Sequence, residues 1–161
     1  MTTIALLPMK AHSERVSGKN FKQLAGKPLF RWTLDSLLAV NEIDTVVINT
    51  DAREILAEHG LVDSDRVIIR ERRPEICGDH VSMNLIIEDD LAATRADRYI
   101  MTHTTNPMLS SKTIQSALTV YKKENASGLS DSLFGVNKVQ TRFYQADGSP
   151  INHDPNNLIR T

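Results

Sequence analysis

Cysteine is nearly absent from this chain, which carries only Cys77 among its 161 residues. A single cysteine excludes a disulfide within the chain and a cysteine-based zinc site, and it fits a reducing compartment. Aromatic residues make up only 5% of the sequence, so no platform for stacked bases stands out. No apolar run approaches the roughly 18 residues of a membrane helix, and residues 1–10 indicate a strand rather than an export signal. We therefore expect a cytoplasmic protein without a membrane partner.

A surplus of either charge is also missing. Lysine and arginine sum to 19 and aspartate and glutamate to 20, which leaves a formal net charge of -1. This balance argues against a globally basic protein that binds nucleic acid. Apolar residues account for 40% of the chain and charged residues for 24%, close to the average of globular proteins. The length suits one domain, because a domain comprises roughly 100 to 200 residues.

Strand-like and helix-like segments alternate along the chain. Short apolar or β-branched runs predict strands at residues 3–9, 44–49, 66–70, 98–102 and 133–136. Apolar residues at helical spacing predict helices from Pro28 to Val40, before Gly60, over residues 82–96 and after a Ser110 cap. Such alternation is typical of a three-layer α/β fold with a mainly parallel sheet. Residues 140–161 differ, and their Asp-Gly pair predicts a C-terminal extension that bears a hairpin.

The first loop, residues 10–27, is basic. Between Lys10 and Arg31 there are six basic residues and one acidic residue, Glu14. A loop that leaves the carboxyl end of the first strand lies where open α/β sheets bind ligands, and its charge favours phosphates. Neither G-x-x-x-x-G-K-[ST] nor G-x-G-x-x-G occurs, so the ATPase and dinucleotide-binding interpretations lose support. On composition alone, phosphate binding and a merely solvated basic loop explain the charge equally well.

Four ordered motifs carry a resemblance to a known family. The run LLPMKAHSERVSGKNFKQLAGKPL resembles the opening signature of the CMP-sugar synthetases, the acylneuraminate cytidylyltransferase family. Lys10 stands where the family has an arginine, Ser13 matches its serine, and Lys19 with Asn20 matches its Lys-Asn pair. The segments VVINTD, RRPEICGDHVS and HTTNP agree in order and spacing. On these motifs the chain is identified as a member of that family, which implies a Rossmann-like nucleotidyltransferase fold.

The resemblance implies a reaction and a set of site residues. In the family, a sugar hydroxyl attacks the α-phosphorus of CTP with magnesium assistance, and pyrophosphate leaves as a CMP-sugar forms. The candidate catalytic residues are Lys10, Arg15 and Lys19, which would hold the triphosphate together with Ser13. The other candidate substrate-binding residues are Asn20 on the loop or nucleotide, Arg73, Asp79 and Ser82 at the cytidine, and His103 and Thr105 at the sugar.

Three positions depart from the family pattern. Lys10 replaces an arginine, an exchange that is not conservative where a bidentate phosphate grip is needed. Glu14 stands where sialic-acid members often have lysine, whereas Arg15 and Gly18 match the related Kdo cytidylyltransferases, so Arg15 is expected to supply the missing charge. His103 replaces a glutamine, which bears on the choice of sugar.

Other polar residues are interpreted as structural. Asp51 precedes a predicted helix, so we expect it to be the helix N-cap rather than a metal ligand. Asp89 and Asp90 lie inside a predicted helix, and we expect both to face solvent without a metal role. The metal ligands of the family lie in its C-terminal part, so the resemblance implies Mg²⁺ as cofactor with ligands that are unknown here and expected beyond Thr161.

The sequence thus predicts residues 1–139 as a CTP-binding α/β core and residues 140–161 as the start of a dimerisation extension in a chain truncated relative to the family. Phe143, Tyr144 and Ile151 are expected by resemblance to pack against a second copy in a homodimer. The predicted function is activation of a sialic-acid-like nonulosonic acid with CTP. The alternative is a non-catalytic nucleotide-binding module or a fragment without the metal-binding acidic residues. A sugar-1-phosphate nucleotidyltransferase is disfavoured, because no Gly-x-Gly-Thr-Arg-type loop occurs.

Overall fold

A computed structural model of the chain describes residues 1–157. The strands are β1 (Thr3–Leu6), β2 (Gln23–Leu24), β3 (Lys27–Pro28), β4 (Thr45–Thr50), β5 (Val67–Glu71) and β6 (Arg98–Met101). The α-helices are α1 (Leu29–Leu38), α2 (Arg53–Glu58), α3 (Met83–Ala93) and α4 (Ser111–Ala126), and short 3-10 turns occur at Lys19–Phe21 and Pro74–Ile76. The central sheet has the order β5-β4-β1-β6, and all of its strand pairs are parallel.

Helices cover both faces of this sheet, as the alternation of elements predicts. Ala5 and Leu7 belong to the main core with residues of α1, α2 and α4, whereas Ile4 and Leu6 pack with Val47 on a separate cluster that includes Ile87 of α3. Neighbouring residues of a strand point to opposite faces, so α3 lies across the sheet from the other helices. The predicted three-layer α/β fold with a mainly parallel sheet is confirmed.

The first loop has more structure than its composition suggests. Its second half forms the antiparallel β2–β3 ladder, and Phe21 stacks on His59 at a centroid distance of 5.6 Å and meets Phe30 edge-on at 5.9 Å. Trp32 of α1 donates its Nε1–H to the Leu24 carbonyl at 2.9 Å. These contacts fix the far end of the loop on the main core.

The strand predicted at residues 133–136 is wrong. Within residues 1–157, residues 131–142 form no regular secondary structure, and Phe134 and Val136 are 83% and 76% exposed. No neighbouring strand lies beside the segment to satisfy its backbone groups, so its apolar character alone does not make it a strand.

The predicted hairpin is confirmed in a short form. An antiparallel bridge joins Tyr144 to Pro150, and the Ile151 N–H donates to the Phe143 carbonyl at 2.9 Å. The turn contains Asp147 and Gly148, whose φ of 86° lies in the region that favours glycine. The side chains of this hairpin are mostly exposed. Over the part of the chain that the structure describes, no helix has the length and apolar character needed to cross a membrane.

Candidate active site

The carboxyl ends of the four parallel strands meet at one edge of the sheet. The segments that follow β1, β4, β5 and β6 are the first loop, Asp51, residues 72–82 and residues 102–107. Each of these segments contains all or part of one of the four motifs that the sequence singles out, and only Asp51 of VVINTD lies beyond its strand. In open α/β sheets this edge is where ligands bind.

Hydrogen bonds pin the start of the first loop to its neighbours. The Ala11 N–H donates to Asp51 Oδ1 at 2.7 Å, and Asn20 Nδ2 donates to the Lys10 carbonyl at 2.9 Å. Thr104, after β6, donates its hydroxyl to Asn20 Oδ1 at 2.7 Å, and the Asn20 side chain is buried. Asn20 thereby joins the loops after β1 and β6, and its contact with a nucleotide stays a prediction.

The expected N-cap role of Asp51 is wrong. Helix α2 begins after Ala52, whose N–H donates to Thr50 Oγ1 at 3.0 Å. The Asp51 carboxylate instead accepts from the first loop, because the loop passes directly over the end of β4. Asp51 is therefore structural, as expected, but it holds the loop rather than the helix.

Two of the predicted site residues contact each other. Lys10 Nζ forms a hydrogen-bonded ion pair with the Asp79 carboxylate. The hydrogen bond from Lys10, reinforced by its charge, lowers the pKa of Asp79 below its ordinary value. The pair joins the loop after β1 to the segment after β5, and it compensates the charge of Lys10 within the chain.

In the described part of the chain, five of the other predicted site residues have side chains without a partner. Within residues 1–157, the side chains of Ser13, Arg15, Lys19, His103 and Thr105 form no hydrogen bond or ion pair. Ser82 caps α3, where its Oγ accepts the Asn84 N–H at 3.3 Å. The positive charges of Arg15 and Lys19 are therefore uncompensated by any neighbouring carboxylate.

A set of polar side chains, all buried except the partly exposed Arg70, lies beneath the edge, and it is called the buried network here. Its members are Asn49, Arg70, Arg72, Asp89 and Asp90. Asn49 Nδ2 donates to Asp89 Oδ2 at 3.1 Å and to Asp90 Oδ1 at 2.9 Å. Arg70 forms ion pairs with both carboxylates, at 3.0 Å to Asp89 Oδ2. The network links β4 and β5 to α3.

The expected solvent exposure of Asp89 and Asp90 is wrong. Their side chains are 8% and 0% exposed, because α3 turns this face toward the sheet, where Arg70 and Asn49 offer charge-assisted hydrogen bonds. Burial raises the pKa of Asp90 above its ordinary value, against the hydrogen bonds from Asn49 and Arg70. Among the described residues, Asp90 Oδ2 has no hydrogen-bond partner.

Two consecutive arginines have opposite environments. Arg72 is buried and donates to Asn49 Oδ1 at 2.9 Å, to the Asn49 carbonyl at 2.8 Å and to the Met9 carbonyl at 3.0 Å. Burial lowers its pKa from the ordinary value. Arg73 has a side chain that is 61% exposed, and its Nε lies 2.7 Å from Asp89 Oδ1. Arg72 therefore lies beneath the edge and holds its backbone, whereas Arg73 is exposed at the edge.

Sequence reasoning overlooked the buried network. The available signal is the presence of polar residues within apolar strand patterns, since Asn49 ends the run VVIN and Arg70 ends VIIR. A buried polar residue needs partners, and the adjacent Asp89 and Asp90 on α3 provide them. Nothing in the spacing reveals that the helix points these carboxylates inward.

No metal centre is formed by the described residues. Across residues 1–157, no group of three or more His, Cys, Asp or Glu side chains is placed to hold a metal ion. The carboxylates nearest the site are already paired, Asp79 with Lys10 and Asp89 with two arginines. This donor set does not fit Mg²⁺.

The sequence matches a known protein family over nearly its whole length. The sequence profile of the family described as "Cytidylyltransferase" matches residues 4–159. The chain belongs to the cytidylyltransferase family. This match covers the basic loop, the buried network and the segments after β5 and β6, so the family resemblance carried by the four motifs is confirmed.

Two curated relatives are similar to nearly the whole of this chain. A CMP-N,N'-diacetyllegionaminic acid synthase of Legionella pneumophila is 25% identical over 94% of this chain and 66% of its own length. A pseudaminic acid cytidylyltransferase of Campylobacter jejuni is 19% identical over the same shares. This cytidylyltransferase chain thus spans slightly less than two thirds of the length of these two relatives.

Solved structures support the fold. A CMP:2-keto-3-deoxy-manno-octonic acid synthetase complexed with CTP matches 78% of this chain and 49% of its own, with a TM-score of 0.62 and 20% identity. A Mycobacterium tuberculosis protein solved as a manganese complex matches 74% of this chain and 59% of its own, with a TM-score of 0.53 and 12% identity. The predicted nucleotidyltransferase fold is confirmed.

Proposed function

We propose that this cytidylyltransferase activates a nonulosonic acid with CTP to give a CMP-sugar and pyrophosphate. The observation that carries the proposal is the joining of separate motifs at one edge of the sheet, by Lys10 with Asp79 and Asn20 with Thr104. Relatives at 19 to 25% identity are named for CMP-legionaminic acid synthesis and pseudaminic acid cytidylyl transfer. Both names describe transfer of a cytidylyl group to an acidic sugar.

The first loop would bind the triphosphate. Transfer of a nucleotidyl group needs positioning and charge neutralisation more than covalent chemistry from the protein. Arg15 and Lys19 offer uncompensated positive charge, and Ser13 offers a hydroxyl. Lys10, fixed by Asp79, would present its remaining N–H donors to phosphate oxygens.

The segments after β5 and β6 would bind the nucleoside and the sugar. Arg73, Ser82 and Asp79 would contact the cytidine, and His103 and Thr105 would face the sugar acid. The sugar hydroxyl would release its proton to water as its oxygen attacks the α-phosphorus, so that a P–O bond forms to the sugar while the bond to pyrophosphate breaks. Pyrophosphate would leave with its charge balanced by the loop cations.

We also propose that the enzyme uses Mg²⁺, forms a homodimer and is located in the cytoplasm. Mg²⁺ would assist the transfer in the whole enzyme, but the described residues do not themselves form its site. Phe143, Tyr144 and Ile151, each about half exposed, would pack against a second copy in a homodimer. The single cysteine supports a cytoplasmic location.

A pyrophosphate-release assay tests the proposed reaction. The protein is incubated with CTP, Mg²⁺ and sialic, legionaminic, pseudaminic or Kdo-type acid, with each omitted in turn. Release that requires both CTP and one of the acids is expected. CTP binding without release from any acid would favour the non-catalytic module, and the absence of both would overturn the proposed function.

The homodimer is tested by sedimentation. Replacement of Phe143, Tyr144 and Ile151 by serine should convert dimer to monomer. Met108→Ser, at an exposed apolar position outside the hairpin, should leave the dimer intact. A monomer mass for the unaltered protein would contradict the dimer.

A further inference from the structure

Asp89 holds only one part of the Arg73 side chain. The ion pair joins Asp89 Oδ1 to Arg73 Nε at 2.7 Å. Within the described residues the Arg73 guanidinium forms no hydrogen bond and is held by this ion pair alone, and the side chain is 61% exposed. The guanidinium is therefore oriented from its stem side while its outer donors stay open.

The Asp89 carboxylate is itself fixed from the opposite side. Its Oδ2 accepts from Asn49 Nδ2 at 3.1 Å and lies 3.0 Å from Arg70 Nη1. Asn49 is in turn held by Arg72, which also donates to the Met9 carbonyl at the base of the first loop. A functional side chain is positioned well when its support is packed and hydrogen-bonded in this way.

We propose that Asp89 is a positioning residue that orients the Arg73 guanidinium toward the nucleotide base. The inference rests on the proposed function, which places Arg73 at the cytidine. The outer edge of a guanidinium donates two parallel hydrogen bonds and fits two adjacent acceptors. Cytosine presents such a pair in O2 and N3, whereas N3 of uracil carries a hydrogen. A correctly oriented Arg73 therefore favours CTP over UTP.

The test compares Asp89→Asn with Glu88→Gln by calorimetric titration of CTP and UTP. Glu88 is the neighbouring acid on α3, exposed and without an ion pair in the described residues, so Glu88→Gln is the matched control. Because an ion pair with a largely exposed partner contributes only a few-fold in affinity, Asp89→Asn should weaken CTP binding about two- to fivefold. UTP binding should change little, so the preference for CTP should fall.

A double variant separates positioning from general support of the fold. In the Arg73→Lys background the Asp89→Asn change should have no further effect on CTP affinity. Asp89 acts on CTP only by orienting the Arg73 guanidinium, and this variant lacks that group. An unchanged CTP-to-UTP ratio in Asp89→Asn would overturn the proposal. An equal loss from Asp89→Asn in both backgrounds would also overturn it.

A readout without ligand keeps the inference distinct from the proposed function. The ¹⁵N–¹H signal of Arg73 Nε, assigned by its absence in Arg73→Lys, should shift and exchange faster in Asp89→Asn but not in Glu88→Gln. If the unaltered protein binds no CTP, the proposed function fails and the nucleotide role of Asp89 fails with it. An Arg73 signal that is unchanged in Asp89→Asn would overturn the positioning role irrespective of nucleotide binding.

Discussion

The buried network and the basic loop above it differ in whether their charged side chains have partners within the chain. In the network, Arg70 pairs with two carboxylates and Arg72 is surrounded by acceptors from Asn49 and Met9. In the loop, Arg15 and Lys19 have no acidic partner among the described residues. Charges that hold the sheet to α3 are satisfied inside the chain, whereas the charges of Arg15 and Lys19 are available to an anionic ligand. The contrast separates residues that matter for stability from residues that matter for binding.

Removal of Arg70 should have the largest effect on stability. Arg70→Met leaves Asp89 and Asp90 buried without their shared cation, and the loss of one partner from a buried pair costs about 3 to 5 kcal/mol. Urea unfolding of the native protein and the variant measures this difference. Arg15→Gln, in the basic loop, is the control and should change the free energy of unfolding by less than about 0.5 kcal/mol. Similar values for both variants would contradict the contrast.

Removal of Lys19 should have the largest effect on binding. A hydrogen bond to a charged group contributes about 1.5 to 3 kcal/mol, so Lys19→Gln should weaken CTP binding about 10- to 100-fold with unchanged stability. Lys22→Gln, three residues along the same loop and exposed, is the matched control. Calorimetry checks both variants. If Lys22→Gln weakens CTP binding as strongly, the effect comes from the overall charge of the loop and not from a defined site.

The buried network should also give a pH dependence. Burial raises the pKa of Asp90 above its ordinary 3.8, so the folded protein binds this proton at a pH where the unfolded chain does not. The contribution of Asp90 to the free energy of unfolding therefore falls as pH rises from 3.8 through the raised pKa. The native value minus that of Asp90→Asn should decrease over this window, by at most about 1.4 kcal/mol per pH unit. Urea unfolding at several pH values measures the difference, and a flat difference would contradict it.

The smallest expected effect lies in the turn between β2 and β3. Ala25 and Gly26 form this two-residue turn with φ values of 47° and 91°, and the left-handed region is unfavourable for alanine. Ala25→Asn should stabilise the protein by about 0.5 kcal/mol, because asparagine tolerates this conformation in such turns. Ala39→Asn is the control at an ordinary φ of -76° and should give no gain. Thermal unfolding compares the two, and equal shifts would argue against strain at Ala25.

The sequence predicts the layered fold because periodicity and turn residues are local properties. The alternation of apolar runs and helical spacing places all four strands of the main sheet within a few residues of their observed bounds. The segment at residues 133–136 fails because a strand requires a neighbour, and the local pattern does not show whether one exists. The Ser110 cap succeeds because capping depends only on the next few residues, and its Oγ accepts the Thr113 N–H at 3.2 Å.

The sequence motifs predict which segments form the candidate site, but they do not predict the buried network beneath it. Lys10, Asn20 and Asp79 are named by resemblance, and the structure joins them to the expected edge of the sheet. The inward direction of Asp89 and Asp90 depends on how α3 packs over β4 and β5, which involves residues 40 positions apart in the chain. A helix with acidic residues on one face is usually solvated, so the pattern alone favours the wrong answer.

The central claim is that the basic loop and the segment after β5 form a CTP site, and one titration tests it most directly. The 161-residue chain is titrated with CTP in a calorimeter, with ATP as the control nucleotide. Saturable CTP binding that is clearly tighter than ATP binding is the predicted result. Absence of CTP binding, or equal affinity for both nucleotides, would contradict the claim that this edge of the sheet is a cytidine nucleotide site.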